Sequence, residues 1–325
     1  MGMSCTTKER LIMPILNKLR ENFSEEKSTI PVVASTVLVL LSTSAFAFAF
    51  DKKMFKENHA NVTDKAVVYQ TVSGVDAMSI TLDYSMKGGE VDWARRGQEG
   101  FAQRWQIQLK KSTPANTTAW YTFKFNIAKD TQIPEYTLSF ADFKRMIGNT
   151  DTGAPPISFS INNNRFMLGL SGSDKQTCKK WKSGSEECNN SEAYFMELAD
   201  SHGLKGRWVT VTFRVDWSDS GSVAVWIDDK LRAEYYGNLR QGGTGFRYKV
   251  GSYRHHMIQA TDKGITIEPV TVHYADITSG KSCSTVSESC STLETQLKNK
   301  KYASGMSHIA QCGTGGPASC RTVRW

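Results

Sequence analysis

The chain has 325 residues and carries 40 Lys and Arg against 32 Asp and Glu, a formal net charge of +8. Its 39% hydrophobic and 22% charged residues are the balance of an ordinary globular protein. This composition excludes a wholly disordered chain, a fibrous repeat protein and a polytopic membrane protein. The aromatic residues favour a sheet-rich fold, and the positive charge favours a polyanionic partner.

Residues 1–49 have the pattern of a secretory signal peptide. An uncharged, mostly apolar run, Pro31–Phe50, follows several basic residues and ends in alternating Ala and Phe, the small-x-small pattern that signal peptidase accepts. We expect cleavage near Ala47 or Ala49, a secreted or periplasmic protein, and no stable membrane insertion after cleavage. The alternative is an uncleaved anchor, because about 20 apolar residues can span a bilayer.

Residues 50–75 are interpreted as a linker or a first edge strand, and residues 76–280 as one large β-sandwich domain. Short segments of alternating polarity, separated by turn residues, predict eleven strands of an all-β fold. They are Ala77–Tyr84, Arg104–Lys110, Trp120–Ile127, Tyr136–Phe143, Pro156–Ile161, Arg165–Leu170, Trp208–Trp217, Ser222–Ile227, Lys230–Tyr236, Tyr248–Tyr253 and Val270–Ile277. The clearest is Val209–Trp217, whose odd-numbered residues are all apolar. Helical periodicity is scarce, and only Ser191–Ser201 is expected to form a turn or two of helix.

The cysteines indicate disulfides in an oxidising compartment. Apart from Cys5 in the predicted signal peptide, they form three near pairs, 178/188, 283/290 and 312/320. Fifteen connectivities are possible, and local pairing is the simplest because short loops close easily. The spacings do not fit a zinc site. Residues 281–325 hold four of these cysteines and are interpreted as a Cys-rich C-terminal appendage.

The segment Arg104–Lys110 predicts a strand with one polar face. By the period of two, Arg104, Gln106, Gln108 and Lys110 lie together, and the intervening residues pack on the other side. Such a row suits an extended anionic or hydroxyl-rich ligand. The alternative is a solvated outer face of an antiparallel sheet.

A second strand, Tyr248–Tyr253, continues into Arg254, His255 and His256. Here Lys249, Gly251, Tyr253 and His255 share a face that combines a cation, a phenol and an imidazole. Glycine weakens a strand interior, so Gly251 is interpreted as open space through which a ligand reaches the backbone. The alternative is an ordinary edge strand with a basic tail.

These segments carry a resemblance to a known family. The hairpin Gly206–Leu231 (GRWVTVTFRVDWSDSGSVAVWIDDKL), the strand Phe246–Tyr253 (FRYKVGSY), the closing strand His273–Gly280 (HYADITSG) and the Pro155-Pro156 strand entry resemble the jelly-roll polysaccharide lyases of the heparin lyase I and glucuronan lyase type. The resemblance covers about Arg104 to Gly280. It implies an all-β jelly roll, a concanavalin A-like sandwich of two antiparallel sheets.

The resemblance also implies β-elimination on a uronic-acid polysaccharide. That reaction needs a group that neutralises the uronate carboxylate, a base for the neighbouring proton and an acid for the departing oxygen. Tyr253 is the candidate base, acid or both, and His255 or His256 is a possible second base. Lys249 and Arg104 are the candidate cations, and Gln106 is a candidate hydrogen-bond donor. Gln108, Lys110 and Arg254 are expected to bind substrate.

One feature departs from the family pattern. Many such lyases carry Gln-x-His on the strand that resembles Tyr136–Arg145, but here that strand reads YTLSFADFKR. The base is therefore supplied elsewhere, or the chain uses a different lyase arrangement, or it is a non-catalytic carbohydrate-binding sandwich. A glycoside hydrolase ranks last, because no strand has the paired carboxylates that this chemistry usually needs.

Partners and cofactors follow from the same interpretation. Asp276 matches a position that in such jelly rolls often helps to hold a structural Ca²⁺, although a surface aspartate is equally consistent with the sequence. The expected partner is an anionic polysaccharide and the expected state a monomer. Export and disulfides argue against nucleic acid.

Overall fold

The structure is a computed structural model. It describes residues 50–58, 66–86, 100–133, 137–152, 155–162, 164–171, 176–180, 186–190, 193–255, 257–301, 308–311 and 321–323. The predicted signal peptide, His256, Cys312 and Cys320 lie outside these residues. Among the helices that the structure describes, none is long and apolar enough to cross a membrane.

The first sheet contains the segments that the sequence marks as polar on one face. In spatial order its strands are β1 (Phe55–Asn58), β4 (Ala102–Leu109), β17 (Gly245–His255), β7 (Thr137–Ile147), β9 (Ile157–Asn162), β10 (Arg165–Ser171) and β13 (Ala193–Asp200). The short strands β5 (Thr113–Pro114) and β8 (Thr150–Thr152) pair with β17 and β7. Every pairing in this sheet is antiparallel, and β4, β17 and β7 lie side by side near its centre.

The second sheet packs against the first. In spatial order its strands are β2 (Val67–Val72), β3 (Val75–Leu82), β18 (Val270–Gly280), β6 (Thr118–Ile127), β14 (Val209–Asp216), β15 (Gly221–Ile227), β16 (Lys230–Gly237), β19 (His308–Gln311) and β20 (Arg321–Val323). Its pairings are antiparallel except the parallel pair β16–β19. A separate hairpin joins β11 (Gln176–Lys180) to β12 (Glu186–Asn190), where residues 178 and 188 are opposite in register.

One continuous core fills the space between the two sheets, because each strand turns alternate apolar residues inward. The first sheet contributes Trp105, Ile107, Tyr248 and Val250 to this core. In the second sheet, every odd-numbered residue of β14 is buried. Aromatic rings dominate its centre, with Tyr121 stacked on Phe213 at 5.1 Å. The molecule is thus an all-β jelly-roll sandwich of two antiparallel sheets.

All eleven predicted strands are present, with ends shifted by a few residues. The helical turn expected at Ser191–Ser201 is wrong, because Ala193–Asp200 pairs along β10 as an edge strand. Two further strands, β1 and β2, fall within residues 50–75 and form an edge of each sheet. The described fold begins at Phe50, which is buried in the core and bridges to Ile277.

The beginning of the C-terminal appendage covers the outer face of the second sheet. The predicted local pair Cys283–Cys290 is a disulfide, and a helix, Cys290–Lys298, begins at its second cysteine. Leu293 and Cys283 pack on Trp226, which stacks on Trp120 at 5.4 Å. Part of the outer face of this sheet is therefore covered by the chain itself.

Candidate active site

The outer face of the first sheet presents polar side chains from β4, β17 and β7, and we call it the polar face. On β4, Trp105, Ile107 and Leu109 are in the core, so the alternate residues point outward. On β17, Tyr248 and Val250 are in the core, which directs their neighbours to the same outer side. The residues that β4 and β17 contribute are Arg104, Gln106, Gln108, Arg247, Lys249, Tyr253 and His255.

The strand register brings the predicted residues together. Lys249 lies opposite Gln108 on β4 and Asp142 on β7, and Tyr253 lies opposite Arg104. Cross-strand neighbours have Cβ atoms about 4.5–5.5 Å apart. Two strands that are far apart in the sequence therefore place the Lys249 cation at one end of a short stretch of sheet, and the Arg104 cation and the Tyr253 phenol at the other end.

Arg104, Tyr253 and His255 form one cluster at the end of this stretch. The Arg104 guanidinium carbon lies 5.3 Å from the centre of the Tyr253 ring. The Tyr253 and His255 rings stack at 5.0 Å with an angle of 30° between their planes. All three side chains are half-buried. A phenol between a guanidinium and an imidazole is in a position to exchange a proton with a bound substrate.

Lys249 is the most deeply placed cation of the polar face, with 3% of its surface exposed. Burial lowers the pKa of its ammonium to about 8, because removal from water disfavours the charged form. The negative charge of Asp142 opposes this shift, and the positive charges of Arg104 and Lys144 add to it. A buried ammonium of this kind attracts an anion strongly, because little water screens it.

Gln106 is held by a carboxylate. Its Nε2 donates a hydrogen bond of 2.8 Å to Asp142 Oδ2, and both side chains are buried. Gln106 Oε1 and Asp142 Oδ1 have no hydrogen-bond partner in the described part of the chain. The Gln106 amide retains a second N–H, and Asp142 fixes the orientation of this fully buried side chain.

The interpretation of Gly251 as open space is wrong. Its φ is +138°, and a Cβ at this position would lie 2.7 Å from the Gln106 Cα atom, with the Trp105 carbonyl also in contact. The backbone of β4 occupies the space, and a bulge between Val250 and Tyr253 interrupts the pairing with β7. Glycine is required here because the backbones of β4 and β17 approach closely. Lys249 and Tyr253, on either side of this glycine, point to the same face of the sheet.

Arg254 does not contribute to the polar face, which corrects the expectation that it binds substrate. It follows Tyr253 directly, so the period of two turns it to the opposite side, where it is fully buried. Its Nε donates to Gln103 Oε1 at 2.6 Å, and its Nη1 donates to the Glu268 carbonyl at 2.9 Å. Arg254 is a structural connection between β17, β4 and the segment before β18.

The two remaining residues expected to bind substrate lie toward the other end of β4. Gln108 is buried on the polar face beside Lys249. Lys110 is exposed just beyond the strand, and its ammonium donates to the Lys52 carbonyl at 2.6 Å. Of the two, Gln108 is directly adjacent to the proposed site, and Lys110 is bound to the N-terminal segment.

The surroundings of Asp276 do not fit a calcium site. Its Oδ2 forms an ion pair of 2.5 Å with Lys124 Nζ on the outer face of the second sheet. Calcium takes six to eight oxygen ligands, and a carboxylate paired with an ammonium is a poor start for such a shell.

Three charged residues next to the site were not assigned a role from the sequence. Asp142 and Lys144 lie on β7, where the family pattern has Gln-x-His, and Arg247 lies opposite Lys144 on β17. The alternation that selects Lys249 also selects Arg247, so the signal was present. Their proximity to Lys249 depends on the strand order, which the sequence does not give.

The chain is similar to one family model and to several solved structures. A family model described as polysaccharide lyase matches residues 49–279. Among solved structures, an endo-β-1,4-glucuronan lyase from the fungus Trichoderma reesei is 17% identical, with 75% of this chain and 94% of that chain covered and a TM-score of 0.47. An alginate lyase from Pseudomonas aeruginosa is 9% identical, with coverages of 72% and 88% and a TM-score of 0.43. A search of curated proteins gives no match. Because the family model covers more than half of the chain, this protein belongs to the polysaccharide lyase family.

Proposed function

We propose that this polysaccharide lyase cleaves a uronic-acid-containing polysaccharide by β-elimination on the polar face. The observation that carries the proposal is the arrangement of Arg104, Gln106, Lys249 and Tyr253 on two adjacent strands. Together they offer two cations, an amide donor and a phenol within one short stretch of sheet. These groups meet the demands of the reaction.

The first demand is the neutralisation of the uronate carboxylate. Lys249 and Arg104 supply positive charge, and the free N–H of Gln106 supplies a hydrogen bond to a carboxylate oxygen. Once the carboxylate is neutralised, the proton on the adjacent C5 becomes acidic and the carbanion-like transition state is stabilised. The low exposure of Lys249 strengthens this effect, because water competes little for its charge.

The second demand is the transfer of two protons. Tyr253 accepts the C5 proton as base, or donates a proton to the glycosidic oxygen at C4 as acid, or does both in turn. The electrons of the C5–H bond form the C4–C5 double bond, and the C4–O bond breaks. His255, stacked on Tyr253, is the candidate for the second proton transfer. The product is an unsaturated uronate and a new chain end.

The test is the ultraviolet absorbance of the unsaturated uronate, measured with ulvan, glucuronan, alginate and glycosaminoglycans. The wild-type protein is expected to give product with at least one of them. Tyr253→Phe is expected to lower the rate by about 10²–10⁴-fold, the usual contribution of general acid–base catalysis. The matched control is Tyr69→Phe, which removes the hydroxyl of an exposed tyrosine on β2 and should leave the rate unchanged.

Two outcomes would contradict the proposal. The first is a correctly folded wild-type protein that produces no absorbance from any of these polymers. The second is an active Tyr253→Phe variant, which would place the proton transfers elsewhere. Retention of a polymer without product would favour the carbohydrate-binding alternative.

We also propose that the mature enzyme is an exported monomer. The support for export is the apolar run with its small-x-small end and the described disulfide Cys283–Cys290. Cleavage after Ala47 or Ala49 would retain Phe50, which is buried in the core. Expression with the native N-terminus, followed by mass spectrometry and light scattering of the exported protein, tests this proposal. An N-terminus at Met1 or a dimeric mass would contradict it.

A further inference from the structure

Two cations face each other on the polar face, on the side of Lys249 that is farther from Tyr253. Arg247 on β17 and Lys144 on β7 are opposite in register, and both are half-buried. Like charges directly opposite each other destabilise a sheet, so this pair is unfavourable unless an anion lies between them. Arg247 Nε is also buried and has no hydrogen-bond partner in the described part of the chain.

A carboxylate of the protein itself already contacts Arg247, one of these two cations. Asp151, on the short strand β8, contacts Arg247 Nη1 through its Oδ1 at 3.2 Å. It is 39% exposed and comes from the three-residue strand that follows the β7 turn. Asp151 uses one nitrogen of the guanidinium and leaves Nε for another acceptor, so the anion-binding capacity of Arg247 is only partly used.

The position of this pair relative to Tyr253 fits a long, regularly charged ligand. Arg247 and Tyr253 are six residues apart on the same strand face, which is roughly 20 Å at about 3.3 Å per residue. Lys249 lies between them on that face, and the charges of Lys144 and Asp151 reach its ammonium. The cations therefore form a row along β17 rather than a single cluster at Tyr253.

We propose that Arg247 and Lys144 form a distal subsite for a second uronate carboxylate of the substrate. Asp151 is the internal group that this carboxylate displaces. The inference rests on the proposed function, because it assumes that a polyuronate lies along the polar face. It adds a length requirement, since a uronate at Tyr253 and another at Arg247 must belong to a chain that spans several sugar rings.

A binding assay tests this inference separately from the cleavage reaction. The Tyr253→Phe variant, which is expected not to consume its ligand, is run in affinity gels that contain alginate or glucuronan. Adding Arg247→Gln or Lys144→Gln is expected to weaken retention by about tenfold, the loss of one charge-assisted contact. Adding Asp151→Asn is expected to strengthen retention about threefold, because the internal competitor loses its charge.

The matched controls are Arg240→Gln and Asp219→Asn. Arg240 and Asp219 form a similar ion pair at 3.0 Å outside the polar face, so neither change should alter retention. Urea unfolding of each variant checks that the fold is intact.

Unchanged retention in Arg247→Gln, or no retention of the parent by either polymer, would overturn the inference. Retention that depends on Arg247 in a protein without lyase product would support the subsite and contradict the proposed reaction.

Discussion

The outer faces of the two sheets differ in what they present to solvent. The polar face of the first sheet carries Arg104, Lys144, Arg247 and Lys249 against the carboxylates Asp142 and Asp151. The outer face of the second sheet is partly covered by the C-terminal appendage, which packs on Trp120 and Trp226. Both faces come from the same alternation of residues, so the choice of side chain on the outward positions decides which face can bind a ligand.

The covered face also contains a cavity, but its charge has the opposite sign. About 670 Å³ lie between the second sheet and residues 284–289. The charged residues that line this cavity are Lys124, Asp51, Asp229, Asp276 and Glu288. Excess negative charge repels a polyuronate, whereas the excess positive charge of the polar face attracts it. By its charge, this cavity suits a polyuronate less well than the polar face does.

The largest expected effect concerns the covered face. Trp226→Ala should reduce the free energy of unfolding by about 3–5 kcal/mol, because Trp226 is fully buried and stacks on Trp120. Urea denaturation measures this change, and Trp226→Phe, which retains an aromatic ring, should cost less. Lyase activity per folded molecule should stay unchanged. Lost activity in a variant of normal stability would contradict the separation of the two faces.

The next prediction compares one lysine from each face. Lys249→Ala should lower kcat/KM by about 10²–10³-fold, the usual cost of removing one group that stabilises developing negative charge. Lys124→Ala removes the ion pair with Asp276 on the second sheet and should change the rate less than twofold. The initial rate of absorbance increase measures both. Equal losses of kcat/KM in the two variants would show that a lysine on either sheet affects the reaction equally. That result would contradict the assignment of the reaction to the polar face.

The sequence predicts the sandwich well because alternation is a local signal. Each of the eleven predicted strands needs only its own residues to reveal an inner and an outer face. The same signal predicts that Arg104, Gln106, Lys249 and Tyr253 point away from the core, and the strand register puts them on one face. The same period of two turns Arg254 to the buried side. The sequence therefore contains the signal that argues against Arg254 as a substrate-binding residue.

The remaining features depend on neighbours that the sequence does not identify. Gly251 is explained only by the close approach of β4, and Asp142 gains a role only because β7 lies beside β17. The strand β13 forms against β10, although residues 191–201 alone suggested a helical turn. Trp120 and Trp226 are outward residues whose cover comes from residues 283–297. Tertiary pairing decides each of these cases.

The smallest expected effect is the pH dependence of the polar face. The pKa of Lys249 is about 8, and the protonated form is the one that neutralises the substrate carboxylate. kcat/KM should therefore be independent of this group well below pH 8 and fall by about tenfold per pH unit above it. In Lys249→Arg the guanidinium stays charged, so this alkaline decline should move beyond pH 10. An unchanged decline in that variant would assign it to another group.

The most direct test of the account is a crystal structure of Tyr253→Phe with a bound oligouronate. We expect the sugar chain on the polar face, with one carboxylate between Arg104 and Lys249 and the scissile bond beside residue 253. A further carboxylate is expected at Arg247, in the place that Asp151 now fills. A sugar chain in the acidic cavity of the second sheet, with the polar face empty, would contradict the central claim.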